Sequence, residues 1–288
     1  MELMNTLTLK SPAKLNLYLN VLRKRPDGYH DIETLFERIE LCDTIRLQKV
    51  PKGIRLTTNH PALPTGSGNL AYRAAELFFK QLRRPSGVRI YLKKKIPIAA
   101  GMGGGSSNAA TVLLGLNRLY NHPFSQKALF QMGRRLGADV SFFLLQKSFA
   151  WGRGRGDLLT PISSRLKILH LVVNPKVMVS TREVYEGFRI GLTKRPSSAK
   201  IFQRLLKDAD LSGLIDKCYN VLETSVVRKH PPISTVRQQL EALGLQGVTL
   251  SGSGPTLFGF TLNLQQARRF REILLSQKDW NVFICKTF

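Results

Sequence analysis

Ala100-Gly101-Met102-Gly103-Gly104-Gly105-Ser106-Ser107-Asn108 is the stretch from which the rest of the chain can be read. Four glycines and two serines stand at the entrance to an apolar run through Val112, Leu113, Leu116 and Leu119, which predicts a tight turn opening into a helix. Several backbone N–H groups converge at such a turn and the helix dipole adds partial positive charge, so the site is suited to phosphate. No Gly-Lys-Ser/Thr follows, which excludes a Walker loop, and no acidic residue lies about 20 positions on, as a dinucleotide fingerprint requires. A tight connection without a ligand is the alternative.

The neighbouring elements follow from local pattern. Upstream, Val88, Ile90 and Leu92 alternate as a strand into Pro97, and Asn69 caps a helix with Leu70, Ala74, Leu77 and Phe78 on one face. Downstream, the helix stops at Asn121-His122-Pro123, and a second helix over 125–136 ends at Gly137, read as a C′ glycine. Near the N-terminus Ala13, Leu15, Leu17, Leu19 and Val21 share one strand face. Lys14, Asn16, Tyr18 and Asn20 share the other, which predicts a half-buried strand with a polar second face. It ends at the turn Arg25-Pro26-Asp27-Gly28, and strands follow over 32–41 and 44–50.

The second half is read as a strand over 166–173, helices near 183–190, 198–208 and 212–227, and a strand–turn–strand around Ser251-Gly252-Ser253-Gly254. A basic helix over 265–277 and a strand over 281–287 close the chain. Strands and helices mix without a regular βαβ beat, so the class is α+β. The glycine-rich stretch 151–157 is the candidate boundary region between domains at 1–160 and 161–288, and there is no internal repeat.

Composition narrows the function. A chain of 288 residues, 43% hydrophobic and 22% charged, is an ordinary globular one that can bury a core without staples. Cys42, Cys218 and Cys285 are too few and too scattered for a disulfide framework or a zinc site. No apolar run reaches membrane-spanning length and the first ten residues do not read as a signal peptide, so a cytoplasmic protein without membrane association is expected. The formal charge of +25 invites a nucleic-acid reading. The charge is spread evenly, however, with 23 basic and 9 acidic residues up to residue 150 and 21 and 10 after it. A generally basic surface that steers anionic small molecules is expected, and no nucleic-acid partner.

Outside the loop, four places can carry chemistry. Asp139 is isolated in a basic region; it suits a general base for a hydroxyl, or it caps a short helix over 140–145. Lys14, the one charge on its strand face, suits a phosphate or hydroxyl contact, or is an ordinary surface lysine. Tyr29 and His30 follow a turn and suit base stacking or packing. Ser251-Gly252-Ser253-Gly254 is a second phosphate-facing turn or a hairpin.

Taken together, Pro12-Ala13-Lys14-Leu15-Asn16-Leu17, the loop with Asn108-Ala109-Ala110, and Ser251-Gly252-Ser253-Gly254 resemble the three ordered motifs of the GHMP kinase superfamily. Arg25-Pro26-Asp27-Gly28-Tyr29-His30 and Gly137-Ala138-Asp139-Val140 resemble its branch acting on a cytidine-diphospho sugar alcohol in the non-mevalonate isoprenoid pathway. The resemblance implies two domains, an N-terminal ribosomal-protein-like α+β domain and a C-terminal ferredoxin-like domain, with the active site between them. It implies ATP as cosubstrate, with Mg²⁺, and transfer of the γ-phosphoryl to the 2-hydroxyl of a methylerythritol unit. Lys14 and Asp139 would be the catalytic pair. The run Pro97, Ile98, Ala99, Ala100, Gly101, Met102, Gly103, Gly104, Gly105, Ser106 and Ser107 would hold the ATP phosphates, with Asn69 and Lys94 near the adenosine. Asn16, Tyr29, His30, Thr181 and Tyr185 would form the acceptor pocket. Met102 departs from a usual leucine and Ser141 from a common proline. The runner-up is a relative acting on a sugar, homoserine or mevalonate-like alcohol, against which Tyr29, His30 and Tyr185 speak, since such acceptors carry no base.

Overall fold

The computed structural model describes residues 5–188 and 198–288. It divides into two compact units, Met1–Ala13, Cys42–Ile98 and Gly103–Gln146 forming the first, and Lys14–Leu41, Ala99–Met102 and Lys147–Phe288 the second. Two long strands, β1 (Thr6–Lys24) and β2 (His30–Val50), contribute residues to both. The two strands expected over 32–41 and 44–50 are thus one.

In the first unit β3 (Gly53–Thr58) runs parallel to β4 (Gly87–Lys93), and β4 pairs antiparallel with residues 44–50 of β2. Helix α1 (Leu70–Leu82) starts where Asn69 Oδ1 accepts the Ala71 N–H at 2.9 Å. Helix α2 (Gly104–Leu119) crosses close to the strands at Gly115, where a methyl would stand 2.5 Å from Leu47 Cδ1 and 2.7 Å from Leu9 Cδ1. Helix α3 (Gln126–Leu136) is followed by the one-turn α4 (Val140–Leu144). Gly137 leaves α3 in extended backbone, φ 170°, so it is not the left-handed C′ glycine expected; the chain turns instead through Val140 N–H, which donates to Gly137 O at 3.3 Å.

In the second unit β5 (Phe149–Arg153) pairs with residues 34–37 of β2 and with β6 (Leu158–Ile162), so the stretch 151–157 lies in a hairpin. β7 (Leu169–Asn174) leads to α5 (Thr181–Glu186); positions 189–190 of the helix expected over 183–190 lie outside the described residues. The expected helix over 212–227 is broken. It comprises α7 (Leu211–Lys217), a short β8 (Tyr219–Asn220) running parallel to β1, and α8 (Glu223–Lys229), with α6 (Ala199–Lys207) before it. Then come α9 (Pro231–Ala242), β9 (Gln246–Leu250), β10 (Leu257–Phe260), α10 (Leu264–Gln277) and β11 (Asn281–Lys286). The sheet order β11-β7-β10-β9, antiparallel throughout, is that of a ferredoxin-like unit.

The strand β1 is buried on both faces over residues 13–19, not on one. Tyr18, on the face expected to be polar, is 1% exposed, its ring 5.6 Å from Trp151 and 5.2 Å from Phe202. Lys14 and Asn16 on the same face are also buried. A buried ammonium and amide are tolerated only where their hydrogen bonds are satisfied, and those bonds shape the site.

Candidate functional site

The loop is built by backbone constraint. Gly101 (φ 73°) and Gly103 (φ 66°) take left-handed conformations costly for other residues. Gly103 stands at the N-cap of α2 and offers no side chain to its first turn. The orphan N–H groups of a 16-residue helix are thereby available to an anion. Ala100 and Met102 are buried, so they anchor the loop, while Ile98 and Gly105 are exposed. The paired serines divide: Ser107 is fully buried with its Oγ 2.8 Å from Ser11 Oγ, whereas Ser106 is half-buried.

Asp139 belongs to the same unit as α2. A methyl built on Gly137 would lie 3.9 Å from Ser106 Oγ, so the Gly137-Ala138-Asp139 turn passes beside the start of α2. Asp139 occupies the N-cap position of α4, yet its φ, ψ of −69°, −16° are helical and its side chain makes no capping hydrogen bond. The helix foreseen after it is present; the capping bond is not. Asn69 spends both ends of its amide on structure, capping α1 and donating to Pro64 O at 2.9 Å. Lys94 is nearly buried in an ion pair with Asp43, a residue that no local motif marks.

In the second unit Lys14 Nζ donates to Asn16 Oδ1 at 2.5 Å and to Gly101 O at 2.9 Å, and Ser251 Oγ donates to that same carbonyl at 3.0 Å. Lys14 is 4% exposed, so it is not an ordinary surface lysine. Asn16 Nδ2 donates in turn to Thr34 Oγ1 at 2.8 Å. The turn after Ser251 packs against this group, since a methyl on Gly252 would stand 3.3 Å from both Lys14 Nζ and Asn16 Oδ1. Asn220, another residue unnoticed in the sequence, holds that turn by donating to Leu250 O and Gly252 O, both at 2.7 Å. Three segments separated in sequence thus meet at one lysine.

The aromatic residues form a second cluster in this unit. The turn 25–28 is braced by Arg25, which bonds Asp27 and Asp31, and these pairs hold both carboxyls below the usual aspartate range. It presents Tyr29, 56% exposed, with the Arg155 guanidinium 5.1 Å from its ring centre. His30 is buried, its ring 5.2 Å from that of Tyr185, so the two are in direct contact with no third ring between them. Burial, then the nearby Lys24 charge, holds the His30 pKa below the ordinary 6.5. Thr181 Oγ1 lies 2.7 Å from Ser253 Oγ, which ties α5 to the glycine-rich turn.

Known proteins share this organisation. The family models for the GHMP kinases N terminal domain and GHMP kinases C terminal match residues 69–147 and 197–278. A 4-diphosphocytidyl-2-C-methyl-D-erythritol kinase from Geobacter metallireducens is 41% identical over 97% of this chain and 98% of its own. The crystal structure of a 4-(cytidine 5'-diphospho)-2C-methyl-D-erythritol kinase is 37% identical with a TM-score of 0.84, covering 98% of this chain and all of that one. The homoserine kinase from Cytophaga hutchinsonii, 17% identical with a TM-score of 0.75 over 100% of this chain and 96% of its own, shares the fold. With relatives of this identity along its whole length, the chain belongs to the GHMP kinases and, within them, to the family of 4-diphosphocytidyl-2-C-methyl-D-erythritol kinases.

Proposed function

We propose that the protein transfers the γ-phosphoryl group of ATP to the 2-hydroxyl of 4-diphosphocytidyl-2-C-methyl-D-erythritol, a step of non-mevalonate isoprenoid synthesis. The observation that carries this reading is the likeness, at 41% identity over 97% of the chain, to a kinase of that name. The exposed Tyr29 beside the His30–Tyr185 pair supports a base-bearing acceptor over a plain alcohol.

Phosphoryl transfer needs little covalent help from protein, so positioning and charge carry the rate. In this reading the N-terminus of α2 receives the ATP phosphates through the backbone of residues 97–107, with Asn69 and Lys94 on the adenosine side. Asp139, in the turn beside the start of α2, takes the proton from the acceptor hydroxyl. Lys14, buried and held by two acceptors, keeps a fixed positive charge for the developing negative one. His30, kept neutral, offers one donor and one acceptor to the cytosine, Tyr29 and Tyr185 its stacking surfaces, and Asn16 and Thr181 further polar contacts.

Mg²⁺ belongs to the same proposal. Among the described residues no group of three His, Cys, Asp or Glu side chains is placed to hold an ion. A hard oxygen donor in the loop, the Ser106 hydroxyl, fits an ion held chiefly by phosphates. Bound there it would neutralise charge on the transferring group. Among the described residues no helix is long and apolar enough to cross a membrane; we place the reaction in the cytoplasm, with domains divided near residue 160.

Asp139→Asn tests the chemistry. It should lower kcat by at least about 10², the low end of general-base help, with the Tm little changed. Turnover near wild type would remove Asp139 from the reaction.

A further inference from the structure

Asp43 plays no part in the reaction above, yet its fully buried carboxylate is saturated with hydrogen bonds. Its Oδ1 accepts the backbone N–H groups of Lys95 at 2.8 Å and Ile96 at 2.9 Å. Its Oδ2 accepts Asn108 Nδ2 at 2.8 Å and pairs with the Lys94 ammonium. Asn108 Nδ2 also donates to Ser11 Oγ at 2.9 Å, and Ser11 meets Ser107.

One side chain therefore grips both ends of the glycine-rich loop: the chain leaving β4 at residues 94–96 and the helix that follows at residues 107–108. The ammonium it holds lies beneath the first residue of α2, since a methyl on Gly104 would come 3.1 Å from Lys94 Nζ. Loop glycines are free to move unless something outside them fixes the ends, and charge-assisted bonds to a buried carboxylate do so at close tolerance.

We propose that Asp43 is a positioning residue for ATP: it sets the span of the phosphate loop and aims Lys94, touching no reacting atom itself. This rests on the reading of residues 97–107 as the ATP loop. D43N keeps the shape and an acceptor for the two backbone N–H groups, but turns a donor toward Lys94 Nζ and Asn108 Nδ2. The swap D43N/N108D restores the carboxylate to the cluster and a donor–acceptor pair between the two positions.

The test is steady-state kinetics in ATP and in the cytidylated acceptor, on protein whose melting is followed in parallel. D43N should raise KM for ATP about tenfold or more, the worth of a charged hydrogen bond, with KM for the acceptor within twofold. The swap should recover most of that loss, which a role confined to folding would not predict. If D43N does not accumulate as folded protein, S11A removes only the outer link and should raise KM for ATP alone, about threefold. An ATP KM left at the wild-type value in whichever of the two variants folds, equal displacement of both KM values, or no recovery in the swap overturns the proposal while the kinase reading stands. A wild-type chain that turns over no ATP would remove both.

Discussion

Gly101→Ala puts the assembly around Lys14 to a quantitative test. A methyl there would stand 2.2 Å from Ser251 O and 2.9 Å from Gly254 O, backbone atoms that cannot rotate aside. The φ of 73° adds about 1–2 kcal/mol for any residue with a Cβ. To relieve the overlap the Gly101 carbonyl must move, and with it go the bonds from Lys14 Nζ at 2.9 Å and Ser251 Oγ at 3.0 Å. A neutral bond contributes about 1 kcal/mol and a charged one about 1.5–3 kcal/mol, so the loss totals about 3–6 kcal/mol. At about 2–4 °C per kcal/mol the Tm should fall by roughly 6–24 °C. Below that transition kcat should drop by about 10², as for a catalytic group displaced by an ångström. Gly105→Ala is the control, since its methyl meets only Leu70 Cδ1 at 3.5 Å and its Tm should hold or rise. Calorimetry and ADP release on the two variants decide the matter. G101A melting within 2 °C of wild type, or both variants shifting alike, would refute the reasoning.

Tyr29→Ala should raise the acceptor KM about 5- to 100-fold, the worth of one stacked base, and leave the ATP KM alone; an unchanged acceptor KM would take the base off Tyr29. His30 has its pKa lowered from 6.5 in the folded chain, so protonation favours the unfolded state and its contribution is present above pH 6.5 and lost as pH falls through the lowered value. The acceptor KM should therefore stay flat from pH 8 to 6.5 and rise only below, and a break above pH 7 would contradict the assignment. Ser141 Oγ is buried without a hydrogen bond, so Ser141→Ala should stabilise by about 1–2 kcal/mol and raise the Tm by a few degrees. A lower Tm would mean that the hydroxyl is bonded.

What could be read from the sequence was what is written locally. The Gly101–Ser107 loop, the Asn69 cap and the Ser251–Gly254 turn each carry their geometry in a few consecutive residues, and the structure has all three. The second face of β1 was misjudged because alternation reports polarity, not cover; Trp151 and Phe202 come from distant positions to bury Tyr18. The helix expected over 212–227 breaks at Cys218 with no glycine or proline to mark it, because pairing of Tyr219 and Asn220 with β1 overrides local propensity. Asp43 and Asn220 were invisible for the same reason. Their partners, at 94–96 and 108 for one and at 250 and 252 for the other, are brought to them only by the fold.

The most direct test of the function is ADP release by the purified chain with Mg-ATP, offered in turn cytidine-diphospho-methylerythritol, methylerythritol phosphate, mevalonate and homoserine. Turnover confined to the cytidylated acceptor is the predicted result. Equal or greater turnover with an acceptor lacking the base would contradict it, leaving the phosphate loop in place and overturning the assignment of Tyr29, His30 and Tyr185.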